Sequence, residues 1–213
     1  MRWLYNLFFW IFFFLVVYWL YQITYEEKKM GAWEKMKANY DKEIDKICNE
    51  NNLPAHYFKS LCILECGGES PAGNRYEPHV FKRLKEVRDG KSKRYGRFTT
   101  RQLKILTENT LRKMATSWGP FQIMGYHCIP LGITLDELTG KDAVKYGIIW
   151  AKKNYGQYLE DRDFRQAFHI HNTGQTLPRN GIPITHDRFY IDKGIEFMEK
   201  AKLEKRKLRL FKK

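Results

Sequence analysis

The segment LCILECGGES, residues 61–70, combines the end of an apolar helix with a carboxylate on the apolar side of that helix. Pro54 suits a first helical turn, and the double glycine at 67–68 is a typical C-terminal signal. Spacings of i, i+3, i+4 and i+7 place four side chains on one helix face: Phe58, Leu61, Cys62 and Glu65. The segment therefore predicts a helix over 54–66 with a glutamate on its apolar face.

Glu65 is the unusual residue of this helix. A carboxyl group that is removed from water is either paired with a cation or neutral, because desolvation raises its pKa. A neutral carboxylic acid near neutral pH can donate a proton, which is how glycosidases protonate the leaving oxygen. The spacing leaves a second interpretation open, in which Glu65 turns to solvent at the helix end or pairs with a nearby Lys or Arg.

Helical patterns cover most of the chain after residue 26. Apolar residues recur at helical spacing, and glycine, proline and capping residues bound the segments. The predicted helices are 26–50, 78–89, 100–114, a short one after a capping box at 134–137, then 141–159, 163–171 and 187–203. Because no segment alternates convincingly between apolar and polar residues, the fold class is predicted to be mainly α.

Residues 3–25 form a separate hydrophobic segment, with no charged residue in 23 positions and 12 of the 33 aromatic residues of the chain. About 20 apolar residues span the hydrocarbon core of a bilayer. A cleaved signal peptide is the main alternative, but its apolar region would be shorter and would end in small residues. We predict one uncleaved N-terminal transmembrane helix, whose orientation the flanking charges do not decide.

The predicted organisation is a transmembrane anchor over 3–25, a stalk or first helix over 26–50, a helical domain over 51–203 and a basic tail over 204–213. The formal net charge is +14, of which the last 15 residues supply +6. This surplus suits an anionic lipid surface, an anionic wall polymer or nucleic acid, or it belongs to a solvated helix end. No nucleic-acid partner is expected, because no segment reads as a nucleic-acid-binding module.

Three further motifs follow the glutamate in order: RYEPHVF at 75–81, SWGPFQIMG at 117–125 and IHNTG at 170–174. With LCILECGGES, they resemble the lysozyme-like superfamily of peptidoglycan glycosidases. The first two are similar to blocks of the bacterial and phage N-acetylmuramidase family, and the third is similar to a motif of the related lytic transglycosylases. The order and spacing agree over roughly residues 53–200, so the resemblance implies a lysozyme-like catalytic domain.

The resemblance also implies the roles of the site residues. It makes Glu65 the general acid and Glu77 the second catalytic carboxylate, with Glu69 as another candidate for the second role. Seven residues are expected to bind substrate: Ser117, Trp118, Gly119, Gln122, His171, Asn172 and Tyr190. Five of them also have a structural interpretation: Gly119 as a turn glycine, Gln122 as a network amide, Trp118 as a buried aromatic, and His171 and Asn172 as a helix end with an Asn cap. No cofactor and no metal are expected.

Several positions depart from the family pattern. Cys66 follows the glutamate where relatives have Ser, and His171 stands where lytic transglycosylases have Tyr. Pro120 replaces a small or aliphatic residue, and Pro78 replaces an Arg. These changes leave the acid in place and concern the geometry of substrate binding.

The expected reaction is cleavage of the β-1,4 bond between N-acetylmuramic acid and N-acetylglucosamine in peptidoglycan by a muramidase-type hydrolase. A lytic transglycosylase that forms 1,6-anhydro-N-acetylmuramic acid ends is the alternative within the family. A non-catalytic peptidoglycan-binding component of an envelope-spanning or phage machine is the alternative of another class. Because of the substrate, the domain of this single-pass membrane protein is expected to face the periplasm or the cell exterior.

Four cysteines allow other interpretations: Cys48, Cys62, Cys66 and Cys128. Cys62, Cys66 and Cys128 could form a zinc site with His79 and His127. Cys66 with His171 could form a nucleophile pair. Their spacing is not a paired C-x-x-C pattern, and no flanking motif supports a nucleophile. We expect small buried thiols, with Cys48 as the freest partner if one disulfide forms.

Overall fold

The structure, a computed structural model of the chain, describes residues 9–20 and 30–210. Residues 9–20 form a helix whose side chains are all exposed, including its large aromatic ones. The remainder of the predicted transmembrane segment 3–25 lies outside the described residues. Within the two described ranges, we found no helix that is both long enough and apolar enough to cross a membrane.

From residue 30 onward the described chain is mainly α-helical, which confirms the predicted fold class. Its α-helices are α1 (Ala32–Asn39), α2 (Asp41–Glu50), α3 (Ala55–Cys66), α4 (Pro78–Arg88), α5 (Thr100–Leu103), α6 (Glu108–Met114), α7 (Cys128–Leu131), α8 (Leu135–Thr139), α9 (Ala143–Glu160), α10 (Phe164–Thr173) and α11 (Tyr190–Leu210). Its strands are β1 (Arg75–Tyr76), β2 (Arg94–Tyr95), β3 (Phe98–Thr99), β4 (Thr116–Trp118) and β5 (Ile123–Met124).

The segment expected to be a stalk or first helix, 26–50, is in its described part the two helices α1 and α2. Tyr40 separates them with a φ of −131°, and its hydroxyl donates a hydrogen bond to the carbonyl of Glu69 at 2.7 Å. Trp33 and Met36 are buried in the main hydrophobic core, together with residues of α3, α9, α10 and α11. These two helices are therefore part of the domain.

Helix α3 runs through the main core and packs closely against α11. The buried hydroxyl of Ser60 donates a hydrogen bond to the carbonyl of Gly194 at 2.5 Å. Glycine is needed at that point of α11, because an added Cβ would lie 2.8 Å from the ring of Phe168. The hydrogen bond between Ser60 and Gly194 holds α3 against α11 and so determines where the C-terminal end of α3 lies.

Helix α3 ends at the double glycine, as the sequence predicts. Gly67 has a left-handed φ of +62°, and its N–H donates to the carbonyl of Ile63 at 3.0 Å. Gly68, with φ +73°, lies against α1, where an added Cβ would be 2.3 Å from the backbone nitrogen of Met36. The first glycine ends the helix, and the second lets the chain pass close to α1.

A three-stranded antiparallel sheet in the order β1-β4-β5 faces the end of α3. Ser117 pairs with Arg75 on one side and with Met124 on the other. A second hydrophobic cluster supports the β1 side of the sheet and is formed by buried residues of α4, β3, α5 and α6 and by Ala115. The strands have only two or three residues, too short for an alternating pattern to predict them.

The prediction of one continuous helix over 100–114 is wrong, because this segment forms two helices, α5 and α6. Thr107 begins α6 by accepting a hydrogen bond from the backbone N–H of Thr110 at 3.1 Å, which interrupts the helix before it. The helices predicted over 141–159, 163–171 and 187–203 correspond to α9, α10 and α11.

Candidate active site

A cleft of about 630 Å³ lies between helices α3, α10 and α11 on one side and the three-stranded sheet on the other. Seven of the nine residues predicted for the site line this cleft: Glu65, Glu77, Ser117, Gln122, His171, Asn172 and Tyr190. The remaining two, Trp118 and Gly119, lie elsewhere. The cleft therefore brings together residues from four distant parts of the sequence.

Glu65 is the carboxylate of the cleft wall, in the last turn of α3. Its side chain is 16% exposed, and burial raises the pKa of this carboxyl from 4.5 to about 7. The hydrogen bond from Tyr190 and the positive charge of Arg75 lower the pKa and offset part of the effect of burial. Glu65 can therefore both donate and accept a proton close to neutral pH.

Tyr190, the first residue of α11, holds the Glu65 carboxyl in place. Its hydroxyl donates a hydrogen bond to Oε1 of Glu65. Burial, followed by the nearby Glu65 charge, raises the pKa of Tyr190 well above its ordinary value, so the phenol keeps its proton. A hydrogen bond from the Asn172 side chain opposes this shift. Tyr190 is thus a neutral donor that favours the ionised form of Glu65.

His171 lies behind the carboxyl, with its Nε2 atom 3.7 Å from Oε1 of Glu65. Its Nε2 lies 3.1 Å from the carbonyl of Phe121, so this nitrogen carries the proton, and Nδ1 accepts a hydrogen bond from the hydroxyl of Tyr155 at 2.8 Å. Tyr155 in turn accepts a hydrogen bond from Tyr57 at 3.3 Å. Burial lowers the pKa of His171 to about 4, so the imidazole is neutral and forms no ion pair with Glu65.

Glu77 lies on the sheet side of the cleft, at the N-terminal cap of α4. Its Oε1 atom is 2.9 Å from Nε of Arg75, and its Oε2 atom is 3.5 Å from Nδ1 of His79. Its backbone N–H donates to the carbonyl of Ala115 at 2.8 Å, which ties it to the sheet. Glu69, the other candidate, is exposed and paired with Lys35 at 2.5 Å, and it does not line the cleft.

Gln122 and Ser117 connect the strands of the sheet side. The Gln122 amide donates to the carbonyls of Gly73 at 2.8 Å and Gly119 at 3.0 Å, and its Oε1 accepts from the Ser117 hydroxyl at 2.8 Å. Gln122 also has a positive φ of +49° in the turn that follows β4. Because both amide hydrogens already have partners, Gln122 shapes the cleft wall and can offer a substrate only its carbonyl oxygen.

Trp118 and Gly119 line a neighbouring pocket that shares no lining residue with the Glu65 cleft. The indole N–H of Trp118 donates to the carbonyl of Lys113 at 3.0 Å. Gly119 has φ +73°, and an added Cβ would lie 2.9 Å from the carbonyl of Leu138. In both residues the observed contacts are those of a tight turn, and the structure does not bring them next to the acid.

Five cleft residues have no part in the motif-based prediction: Ala32, His186, Asp187, Lys193 and Phe197. Lys193 and Phe197 follow Tyr190 by three and seven positions, so helical spacing could have indicated them once Tyr190 was assigned to the cleft. Arg75 of β1, two positions before Glu77, also lines the cleft, and its positive charge lowers the pKa of Glu65. No motif or helical spacing indicated His186, which lies in a loop.

The cleft continues beyond His171 and Asn172 into a second volume of about 620 Å³. Aromatic rings line this part, among them Tyr95, Tyr126 and Trp150. The two volumes share Arg75, Glu77, Gln122, Met124, His171, Asn172 and His186, so they form one elongated groove. A groove of this shape suits a chain-like ligand, with Glu65 at one part of its wall.

All four cysteines are free thiols. Burial raises the pKa of Cys48 to about 12, and that of Cys128 to about 11, which keeps both protonated. The Sγ atoms of Cys62 and Cys66 are 3.7 Å apart, and both ring nitrogens of His171 are engaged elsewhere. Among the residues that the structure describes, no group of three or more Cys, His, Asp or Glu is arranged to hold a metal ion.

We found no match to this chain among protein-family models, curated proteins or solved structures. A carboxyl with a pKa of about 7, a neutral phenol that donates to it and a neutral imidazole behind it form a proton-exchanging group. The elongated groove presents this group to an extended ligand.

Proposed function

We propose that this chain is a lysozyme-like glycosidase that cleaves peptidoglycan at the β-1,4 bond between N-acetylmuramic acid and N-acetylglucosamine. The observation that carries the proposal is the Glu65 carboxyl, whose pKa is raised to about 7 in the wall of an elongated groove. Glycosidases need such an acid beside the bond that they break. The motif resemblance adds the substrate class.

In the proposed reaction, the Glu65 carboxyl gives its proton to the glycosidic oxygen as the bond from the sugar carbon to that oxygen breaks. The bonding electron pair leaves with the oxygen, and positive charge develops on the sugar ring. The Tyr190 hydroxyl donates to Oε1 of Glu65 and so stabilises the carboxylate that is left. The neutral His171 adds no positive charge beside the developing cation.

For hydrolysis, Glu77 is the proposed base. It would accept a proton from a water molecule that attacks the sugar carbon, as the second carboxylate does in inverting glycosidases. Its position on the opposite side of the same cleft supports this role. The enzyme is regenerated once Glu65 regains a proton from solvent and Glu77 releases its proton to solvent.

A lytic transglycosylase is the second candidate, and one observation favours it. Oε1 of Glu77 lies 2.9 Å from Nε of Arg75, and its Oε2 lies 3.5 Å from Nδ1 of His79. Both contacts compete with the binding of a water molecule by Glu77. In this reaction the sugar's own 6-hydroxyl attacks, and the Glu65 carboxylate takes its proton. A group with a pKa of about 7 suits both steps.

A non-catalytic peptidoglycan-binding component is the proposal of another class. It would use the same groove but would not need an acid with a raised pKa. The burial of Glu65 and its hydrogen bond from Tyr190 therefore support an enzyme over a binding protein.

We further propose that residues 3–25 anchor the chain in a membrane as a single span, with the domain in the periplasm or at the cell exterior. The 23 uncharged positions and the exposed apolar helix at 9–20 support the anchor.

The test of the reaction is digestion of purified peptidoglycan by the full-length protein in detergent, with the soluble products resolved by mass spectrometry. A hydrolase gives products with reducing ends, whereas a transglycosylase gives anhydro ends that are lighter by one water. Binding to the insoluble wall without any soluble product would leave the non-catalytic component as the remaining function.

A further inference from the structure

A second concave region lies at the opposite end of α3 from Glu65. It is lined by residues of α2, the start of α3, the junction of α9 with α10 and the C-terminal part of α11, among them Asp45, His56, Arg162, Lys202, Lys205 and Arg206. With a rise of about 1.5 Å per residue, ten residues of α3 separate it from Glu65 by about 15 Å. We call this region the basic pocket.

Within the part of the chain that the structure describes, three cations of the basic pocket have no counter-ion. Arg162, Lys205 and Arg206 are exposed and have no ion-pair partner among the side chains that the structure describes. By contrast, Lys59 is paired with Asp45 at 2.8 Å, and Lys202 is paired with a glutamate one turn before it. Glu160 also lines the pocket, so the unpaired charge is positive overall.

The floor of the pocket contains polar atoms without partners. Nε2 of His56 and Oδ1 of Asp45 are buried and have no hydrogen-bond partner among the described residues. Burial, and then the charge of Lys202, lower the pKa of His56 to about 4, so its ring is neutral. A neutral imidazole can donate a hydrogen bond to an oxygen of an anionic ligand. Asp45 repels an anion at this point, but its other oxygen is neutralised by Lys59.

Glu204, the residue before Lys205, connects this part of α11 to α1, the first helix of the domain. Glu204 of α11 accepts hydrogen bonds from the indole N–H of Trp33 at 2.9 Å and from Lys37 at 2.8 Å. Lys200 lies over the Trp33 ring at 4.7 Å. The turn of α11 that precedes Lys205 and Arg206 is therefore held against α1, which begins seven positions after the apolar segment 3–25 in the sequence.

We propose that the basic pocket binds the phosphate head groups of an anionic phospholipid membrane, against which it orients the domain. The unpaired cations supply charge complementarity, and Glu204 beside Lys205 accepts a hydrogen bond from Trp33 in the first turn of α1, eight positions in sequence after the proposed anchor 3–25. Basic side chains near such a surface each contribute about 1 kcal/mol, which is roughly fivefold in binding. This inference rests on the proposed anchor and does not depend on the proposed catalytic activity.

The test uses the full-length protein incorporated into lipid nanodiscs of phosphatidylcholine alone or mixed with phosphatidylglycerol. The rate at which an amine-reactive reagent acetylates Lys205 is measured by mass spectrometry, with the exposed Lys104 as an internal reference. We expect acetylation of Lys205 to slow about fivefold or more in the anionic discs, with no change at Lys104. Equal rates at Lys205 in both discs, or equal slowing at Lys104, would overturn the proposal.

Two further arms identify the cause. The double variant Arg162→Glu with Arg206→Glu should lose the protection of Lys205, whereas Arg94→Glu with Arg101→Glu, the same charge change on exposed residues far from the pocket, should keep it. Loss of protection in both variants would mean that only net charge matters. Inorganic phosphate added to neutral discs at matched ionic strength should not protect Lys205, and if it does, the ligand is a free anion. Failure to incorporate into neutral discs would contradict the anchor itself.

Discussion

The hydroxyl of Tyr190 donates a hydrogen bond to Oε1 of Glu65, although 125 positions of sequence separate the two residues. Tyr190 begins α11 and Glu65 lies in the last turn of α3, so the packing of these two helices brings them together. The bond joins the proposed acid to a neutral donor in the wall of the groove. Its strength sets part of the pKa of Glu65.

Removal of this donor should move the pH range of activity. The bond favours the ionised carboxyl, so the Tyr190→Phe variant should raise the pKa of Glu65 above its value of about 7. Hydrogen bonds to charged groups contribute about 1.5 to 3 kcal/mol, or about one to two pH units. Because the acid must be protonated, the alkaline limb of kcat/KM should shift upward by that amount.

The matched control for this variant is Tyr146→Phe. The hydroxyl of Tyr146 also donates to a carboxylate, Oε1 of Glu137 at 2.9 Å, but this pair lies outside the cleft. Its pH profile should equal that of the wild type. An unchanged alkaline limb in Tyr190→Phe, or an equal shift in the control, would contradict the role of Tyr190.

Glu65 should also make stability depend on pH. Its pKa is about 4.5 in the unfolded chain and about 7 in the folded one, so between these values only the folded state keeps the proton. The stabilisation is complete below about pH 4.5 and is lost as the pH rises through about 7. Glu65→Gln removes this dependence. Well above pH 7 it should increase the free energy of unfolding by about 3 kcal/mol relative to the wild type, at 1.36 kcal/mol per pH unit.

Denaturant unfolding of both proteins across this pH range checks the prediction. The exposed Glu69→Gln variant is the control, because it changes the same charge near the same helix end. Its difference from the wild type should stay small and constant. A Glu65→Gln effect that does not vary with pH would contradict the raised pKa.

His171 should be important for stability through its two hydrogen bonds. Replacement by Leu leaves the Phe121 carbonyl without its donor and removes the acceptor of Tyr155. Each buried polar group left unpaired costs about 1 to 3 kcal/mol, so the two groups together should cost about 2 to 6 kcal/mol. His186→Leu, an exposed histidine of the same cleft, should change stability by less than about 0.5 kcal/mol.

The His171→Leu deficit should also depend on pH. The pKa of His171 is 6.5 in the unfolded chain and about 4 in the folded one, so the wild type loses stability as the pH falls from 6.5 toward 4. The variant has no such loss, and its deficit should shrink over that interval. Thermal unfolding at a series of pH values measures this, and a deficit that grows on acidification would contradict a neutral buried imidazole.

Substitutions of Glu77 and Glu69 distinguish hydrolysis from the transglycosylase reaction. If Glu77 activates water, Glu77→Gln should reduce the rate of hydrolysis by about 10²- to 10⁴-fold, as expected for loss of a general base. Glu69→Gln, exposed and paired with Lys35, should retain full activity. The measurement is the release of reducing ends from peptidoglycan. Full activity of Glu77→Gln with anhydro products would identify the transglycosylase reaction instead.

Local signals in the sequence were sufficient for the helix that carries the acid. The apolar face of α3 and the two glycines after it depend on residues close in sequence, and the structure agrees at both. The long helices α9 and α10 were predictable for the same reason. The breaks at Tyr40 and Thr107 were not, because each depends on a contact that the apolar pattern does not encode, such as the bond from Tyr40 to Glu69.

The groups around the acid depended on tertiary packing. Only the motif resemblance, and no spacing rule, linked Tyr190 and His171 to Glu65. The SWGPFQIMG block forms two short strands and a turn, and that turn directs Trp118 and Gly119 into another pocket while Ser117 and Gln122 line the cleft. Neighbours in sequence can therefore face different pockets, which a linear motif cannot predict.

The measurement that tests the central claim most directly is the release of soluble fragments from purified peptidoglycan by the full-length wild type and by Glu65→Gln under the same conditions. The Glu65→Gln protein should fold and bind the wall, because glutamine keeps the size and the hydrogen-bonding capacity of the side chain. We predict fragments from the wild type and essentially none from the variant. Equal release by both proteins would contradict the assignment of Glu65 as the acid.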